Sequence, residues 1–521
     1  MYVDSPFRTT AGTGTLSLQG ISYYLKFMKL TANSHGRIIP LHPFGALVLW
    51  ITLVSATPPH APPSLHVIPC ATMRGIPPDA KCAQLRVFEN RSKRAGRWLA
   101  ITLVVLPAHE RNAGAIFDLS GGPGQSAIED APFVSRRFAP LRKSHDLVLV
   151  AQRGTRYSHQ LQCDLFANPV SYFKELFPNA PLRQCRSTLA KSADLNQYGT
   201  SIAADDLDDV RAALGYDKIA LYGGSYGTLA AQVYARRHPS HLRAMLLESV
   251  ATTDFLIPLP YAGGAQRALD DLFFACAHET RCRRAFPSLP SHFATLLGRF
   301  DASGVGVNLR VSKNAQRITL SREVFVDRLR QLLYDPMVAR VVPIVIEDAY
   351  RGNTTPLASA IFAITQSIAP VISWGMSMSV SCSEDDPFIT RSAAIRQSRA
   401  TFMGTQRIDA QHRACAIWDV KPVDRSYLNP VRSSAPVLML SGTDDPATPQ
   451  QYARRQLRYY TNGRLISIPH GGHDNDSPCL DRIRIAFLAS ANTKAVDASC
   501  ITAFKRPSFF TTERELHAFF P

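Results

Sequence analysis

The stretch Ile219-Ala220-Leu221-Tyr222-Gly223-Gly224-Ser225-Tyr226-Gly227 runs an apolar segment straight into Gly-x-Ser-x-Gly, and Thr228 to His238 behind it reads as a helix. Strand, tight turn and helix in that order expose one serine Oγ at the end of a sheet. Glycine is needed on both sides, because a Cβ there would meet neighbouring backbone. Ser225 is therefore the candidate nucleophile. Glycine and serine also crowd ordinary turns, so the motif gains weight only from its company.

A serine hydroxyl near neutrality needs a base to take its proton and a third group to orient that base. The chain supplies both in a telling order. An acid follows in Ser441-Gly442-Thr443-Asp444-Asp445-Pro446-Ala447-Thr448-Pro449, where Asp445 is the candidate and Asp444 its neighbouring rival. A histidine follows in Pro469-His470-Gly471-Gly472-His473, with His473 preferred to His470 because the glycine pair suits a histidine-bearing loop. Glu248, ending the strand after the serine's helix, is a further rival for the acid. A tetrahedral intermediate also needs N–H donors for its oxyanion. The Tyr226 N–H, directly after the serine, is one. Gly121 or Gly122, in Ser120-Gly121-Gly122-Pro123-Gly124, supplies the other. No Gly-Lys-Ser/Thr and no G-x-G-x-x-G leading into a helix turns that loop into a phosphate cradle.

The surrounding rhythm fits. Trp98 to Leu106, Ala115 to Leu119, Asp146 to Val150, Leu242 to Val250, Pro436 to Ser441 and Arg464 to Ile468 read as strands. Ile202 to Leu214 has helical spacing, with acids in its first half that suit the helix dipole. Apolar strands separated by helices indicate a covered, mainly parallel, doubly wound sheet. With the Ser, Asp, His order this is the α/β-hydrolase fold class. From 256 to 410 the rhythm lapses into helical segments (Ala268 to Cys276, Arg322 to Leu333, Ile344 to Tyr350), expected to form an inserted, mostly helical cap. The expected layout is an N-terminal extension and signal peptide over 1–56 and a Pro-rich linker and loop over 57–84. The core's first part then spans 85–255, the cap 256–410 and the rest of the core 411–521.

The 521 residues are 45% hydrophobic, ample for a large core. The formal charge is +17, but the basic residues are scattered, as at Arg136-Arg137 and Arg454-Arg455. That reads as a solvated basic surface in preference to a nucleic-acid footprint, while still favouring anionic surfaces or acidic peptides electrostatically. Ala46 to Val54 is an apolar run preceded by Lys29 and Arg37 and followed by Val54-Ser55-Ala56 and Pro58-Pro59. It is short for a membrane span and reads as a cleaved secretory signal, with a retained signal anchor as the alternative, and Met28 is a more ordinary start than Met1. Secreted or periplasmic location follows, with no stable membrane insertion after cleavage. Ten cysteines in an exported chain argue for disulfides. Sequence alone does not settle connectivity. Nearest neighbours are the expectation: Cys70/Cys82, Cys163/Cys185, Cys276/Cys282, Cys382/Cys415 and Cys479/Cys500. No Cys/His spacing indicates zinc, and no metal or other cofactor is implied.

With these motifs assembled, the chain resembles the proline iminopeptidase and tripeptidyl aminopeptidase group of serine α/β-hydrolases, from about Cys70 to the C-terminus. The likeness lies in Gly121-Gly122-Pro123-Gly124, Gln152-Arg153-Gly154-Thr155, Asp206-Leu207 with Val210-Arg211 and Leu214-Gly215, Gly224-Ser225-Tyr226-Gly227-Thr228, Ser441-Gly442 with Asp445-Pro446 and Thr448-Pro449, and Gly472-His473. Cys479 and Cys500 resemble the group's C-terminal TAP-like module. The resemblance implies a Ser225, Asp445, His473 triad, export, and a peptide substrate. It departs from the group at Ser120 (usually His), Ala151 (Asp), Arg156 (Gly) and Glu248 (Asp). The segment Ser379-Val380-Ser381-Cys382-Ser383-Glu384-Asp385-Asp386-Pro387 resembles the group's return from cap to core. On it Glu384 is the candidate anchor for a substrate's free α-amine. An esterase using the same triad is the alternative, since one fold hosts many chemistries.

Overall fold

The computed structural model describes residues 64–110, 113–166, 169–311 and 314–519. The proposed signal segment and the first part of the Pro-rich linker lie outside the described residues. Among the described residues eleven strands are present: β1 Leu65–Ile68, β2 Lys81–Phe88, β3 Trp98–Leu106, β4 Ala115–Leu119, β5 Asp146–Val150, β6 Ile219–Gly224, β7 Leu242–Glu248, β8 Val305–Val311, β9 Asn314–Leu320, β10 Val437–Gly442 and β11 Gly463–Ile468.

Nine of them form one sheet in the order β1-β2-β3-β5-β4-β6-β7-β10-β11. From β5 to β11 neighbours run parallel, and β1, β2 and β3 join antiparallel at one edge. The central strands are apolar almost throughout because helices cover both faces. Side chains alternate between those faces. Phe117, Val148, Leu221, Leu247 and Met439 pack with helices Thr200–Ala213 and Tyr226–Arg237 in one core. Ile116, Leu149, Tyr222, Leu246 and Leu440 pack with helix Pro478–Ser490 in the other.

Two features differ from the sequence expectation. The segment read as linker and loop supplies β1, which pairs in register with β2, itself starting at Lys81. Only four residues long and mostly exposed, β1 carries too little pattern to declare itself. Between β7 and β10 the chain is mainly helical, but β8 and β9 form a separate antiparallel hairpin there. Among its residues whose burial is described, Val307, Leu309, Ile318 and Leu320 are buried, an alternation that marks a half-buried ribbon.

The ten cysteines pair as neighbours: Cys70–Cys82, Cys163–Cys185, Cys276–Cys282, Cys382–Cys415 and Cys479–Cys500. Among the described residues no helix is long and apolar enough to cross a membrane.

Candidate active site

Ser225 sits between the end of β6 and the first turn of helix Tyr226–Arg237, with φ 54° and ψ −123°. A side-chain-bearing residue reaches this region only where its surroundings impose it. Here they do. Ser225 N–H donates to the Glu248 carbonyl at 2.9 Å, and Thr228 N–H returns to the Ser225 carbonyl at 2.9 Å. A Cβ on Gly223 would stand 2.5 Å from the Gly227 carbonyl oxygen, and one on Gly227 only 1.9 Å from that of Leu119. The turn therefore closes only with glycine at both places.

The same contact brings the loop after β4 against the elbow. A Cβ on Gly121 would lie 3.4 Å from Ser225 Cβ, so this glycine lies directly beside the nucleophile position. Gly122 has φ +107°, which glycine adopts without strain.

Asp445 and His473 follow β10 and β11, which are parallel neighbours beyond β7, so all three candidates gather at the carboxyl ends of the strands. His473 Nδ1 stands 3.1 Å from each Asp445 oxygen. Asp445 also accepts from the N–H groups of Ala447 and Thr448 at 2.8 Å and from Thr448 Oγ1 at 2.6 Å. An acid on Nδ1 selects the tautomer that leaves Nε2 basic. Burial opposes the Asp445 charge, but His473 and the Thr448 donors outweigh it and hold its pKa below the ordinary carboxylate value. Burial likewise pulls the His473 pKa down, yet Asp445 and Asp474 overcome this and leave it above the usual imidazole value. Among the described residues no hydrogen bond joins Ser225 Oγ to His473, a contact that in such sites often tightens only with substrate bound.

The rivals are occupied elsewhere. Glu248 is bound by Arg484 at 2.5 and 3.1 Å and receives the Tyr222 hydroxyl at 3.3 Å. Asp444 pairs with Arg506, and the half-exposed His470 lies 3.9 Å from Asp444. Thr448 lies in the stretch quoted for the acid, but the sequence reading gave it no role. Its hydroxyl also stands 3.2 Å from His473 Nδ1, and its position three residues past Asp445 in a Pro-flanked turn was the available signal.

Glu384 requires a correction. It is 2% exposed, and its oxygens accept from Thr200 N–H (2.6 Å), Thr200 Oγ1 (2.7 Å) and the Tyr427 hydroxyl (2.6 Å). These donors are the protein's own, so the carboxylate secures the start of helix Thr200–Ala213 and does not present itself to a substrate amine. Thr200 Oγ1 is in turn 2.7 Å from the Tyr226 hydroxyl, which also receives Gln152 Nε2 at 3.0 Å. Glu384 thus supports the residue after the nucleophile from behind. Gln152-Arg153 proves to be part of the same buttress. Buried Arg153 grips Asp206 at 2.5 and 2.7 Å and donates to the Glu89 and Gln197 carbonyls.

One cluster of metal-ligand type exists among the described residues, Asp208, His238 and His241. Arg211 already holds both Asp208 oxygens, at 2.7 and 3.2 Å, and the cluster lies outside the site above.

These features define a serine hydrolase of the α/β-hydrolase fold. The family model described as alpha/beta hydrolase fold matches residues 119–272, and that of the TAP-like protein matches residues 400–500. Serine protease Hip1 of Mycobacterium tuberculosis is 27% identical over 473 residues, covering 82% of this chain and 88% of the relative. Tripeptidyl aminopeptidase of Streptomyces lividans is 27% identical over 202 residues, 35% of this chain and 37% of its own. The likeness of the chain is thus to the tripeptidyl aminopeptidase group, with a TAP-like C-terminal segment.

Proposed function

We propose that the protein is an exported serine peptidase that releases N-terminal amino acids or short peptides through an acyl-enzyme. Ser225 is the nucleophile and His473 its base, later giving the proton to the leaving amine. Asp445 holds the imidazole tautomer and stabilises the imidazolium. The Tyr226 N–H and a Gly121 or Gly122 N–H receive the oxyanion. The single observation that carries this reading is the strained Ser225 turn at the same carboxyl end of the sheet as the hydrogen-bonded Asp445–His473 pair. The names of the relatives, a serine protease and a tripeptidyl aminopeptidase, support a peptide substrate. Five disulfides support an oxidising compartment.

The test is hydrolysis of matched peptides with free and N-acetylated N-termini, with Ser225→Ala in parallel. Cleavage of the free peptides alone, lost in the variant, is the expected result, and product length separates single-residue from tripeptide release. Ser225-dependent turnover of short acyl esters without peptide cleavage would make the protein an esterase.

A further inference from the structure

The histidine loop rests on a part of the chain that belongs to neither half of the sheet. Tyr334 lies just beyond helix Arg322–Leu332, and its carbonyl accepts both the His473 N–H at 2.6 Å and the Asp474 N–H at 3.0 Å. Its ring packs on the imidazole, with centroids 4.7 Å apart. The approach is so close that a Cβ on Gly472 would stand 2.1 Å from the Tyr334 oxygen. This, rather than flexibility, is why glycine precedes His473.

Tyr334 is itself held. Its hydroxyl receives Arg330 Nη1, and the guanidinium lies over the Tyr334 and Tyr261 rings at 5.1 and 4.1 Å. Arg330 Nε and Nη2 also bind Asp327 Oδ1 at 3.2 and 2.9 Å, beneath which Arg328 and Arg407 complete a buried ionic cluster. The acid's loop is seated on the same part of the chain. In helix Tyr261–His278, a Cβ on Gly264 would lie 2.9 Å from the Pro446 carbonyl oxygen.

We propose that Arg330 and Tyr334 are positioning residues for His473: the Tyr334 carbonyl and ring seat the histidine loop, and Arg330 locks Tyr334 while placing a fixed positive charge beside the imidazole. The inference rests on the reading of His473 as the general base. It makes the segment between β7 and β10 part of the base's support, and not only a cover. The charges that act on the imidazole are Asp445 from the β10 loop, Asp474 from its own loop and Arg330 from helix Arg322–Leu332. Arg330 opposes the imidazolium that the two acids favour, so its removal raises the histidine pKa.

The experiment is the kcat/KM and kcat profile of the full chain on a short acyl ester, from about pH 5 to about pH 9, with Ser225→Ala as the blank at every point. In Arg330→Gln the acid limb moves to higher pH, so activity well below the limb falls. Its plateau kcat also falls severalfold at a KM near wild type. Arg330→Lys restores the limb, because the charge returns, but not the whole plateau. Tyr334→Phe keeps ring, carbonyl and limb and lowers the plateau. A wild-type limb in Arg330→Gln, or a loss confined to KM, overturns the proposal. Should Arg330→Gln fail to fold, wild-type plateaus in both Arg330→Lys and Tyr334→Phe overturn it. Turnover that persists in Ser225→Ala overturns the triad reading instead, so the two failures remain distinct.

Discussion

The serine and the histidine of this site are held by opposite means. The Ser225 turn is a local object. Two glycines, one strand end and one helix start impose its geometry, packed against the Leu119 carbonyl of one neighbouring strand and hydrogen-bonded to the Glu248 carbonyl of the other. The His473 loop is assembled from distant parts: Asp445 and Thr448 after β10, the Tyr334 carbonyl, and the Ser249 hydroxyl, which donates to the His473 carbonyl. A nucleophile can be set by backbone sterics alone. A base that must keep a tautomer, a pKa and a direction needs charges and ring contacts from several elements.

The sharpest break in this comparison is at the nucleophile itself. Ser225→Ala should lower kcat by about 10⁶-fold while leaving the melting temperature near wild type, because it removes the reacting atom and no support. Asp445→Asn should cost about 10⁴-fold in kcat through the wrong tautomer. The acid limb of the rate profile should also flatten or shift down, since the charge that raises the His473 pKa is gone. An unchanged limb would show that Asp445 does not face the working base.

Gly227→Ala tests the local side. With a Cβ placed 1.9 Å from the Leu119 oxygen, the turn must open. A stability loss of about 4 kcal/mol by denaturant unfolding, with activity lost alongside, is expected for so forced a backbone shift. A well-folded, active Gly227→Ala would contradict the steric account. Glu384→Gln should be the mildest, at about 1–3 kcal/mol from weakened bonds to Thr200 and Tyr427. Any preference for a free over an acetylated N-terminus should survive it. Loss of that preference would return Glu384 to the substrate.

Three strands of the sheet were legible almost to the residue. Trp98–Leu106, Ala115–Leu119 and Asp146–Val150 match their apolar runs because each lies under helices and has no polar face to blur it. The hairpin of β8 and β9 was not legible, since its alternation sits among polar residues in a helical region. Thr448 carries a weak trace in its proline-flanked turn. Tyr334 carries none, because its decisive group is a backbone carbonyl, which every residue has.

The Glu384 reading failed for a related reason. An acidic run, Glu384-Asp385-Asp386, looks alike in sequence whether it faces a ligand or the interior. Only packing shows that Glu384 is buried against the start of helix Thr200–Ala213.

What the sequence by itself determined is the sheet, the turn at Ser225 and the order of serine, acid and histidine. Each rests on short-range rules: alternating burial, glycine where a Cβ cannot fit, a loop after each strand. The pairing of the rival acids Asp444 and Glu248 with Arg506 and Arg484, the inward role of Glu384 and the seating of His473 on Tyr334 were decided only by the tertiary structure. Each depends on which partners reach a polar group across more than a hundred residues of chain or across a single turn, and hydrogen-bonding demand is satisfied by whatever the fold brings near.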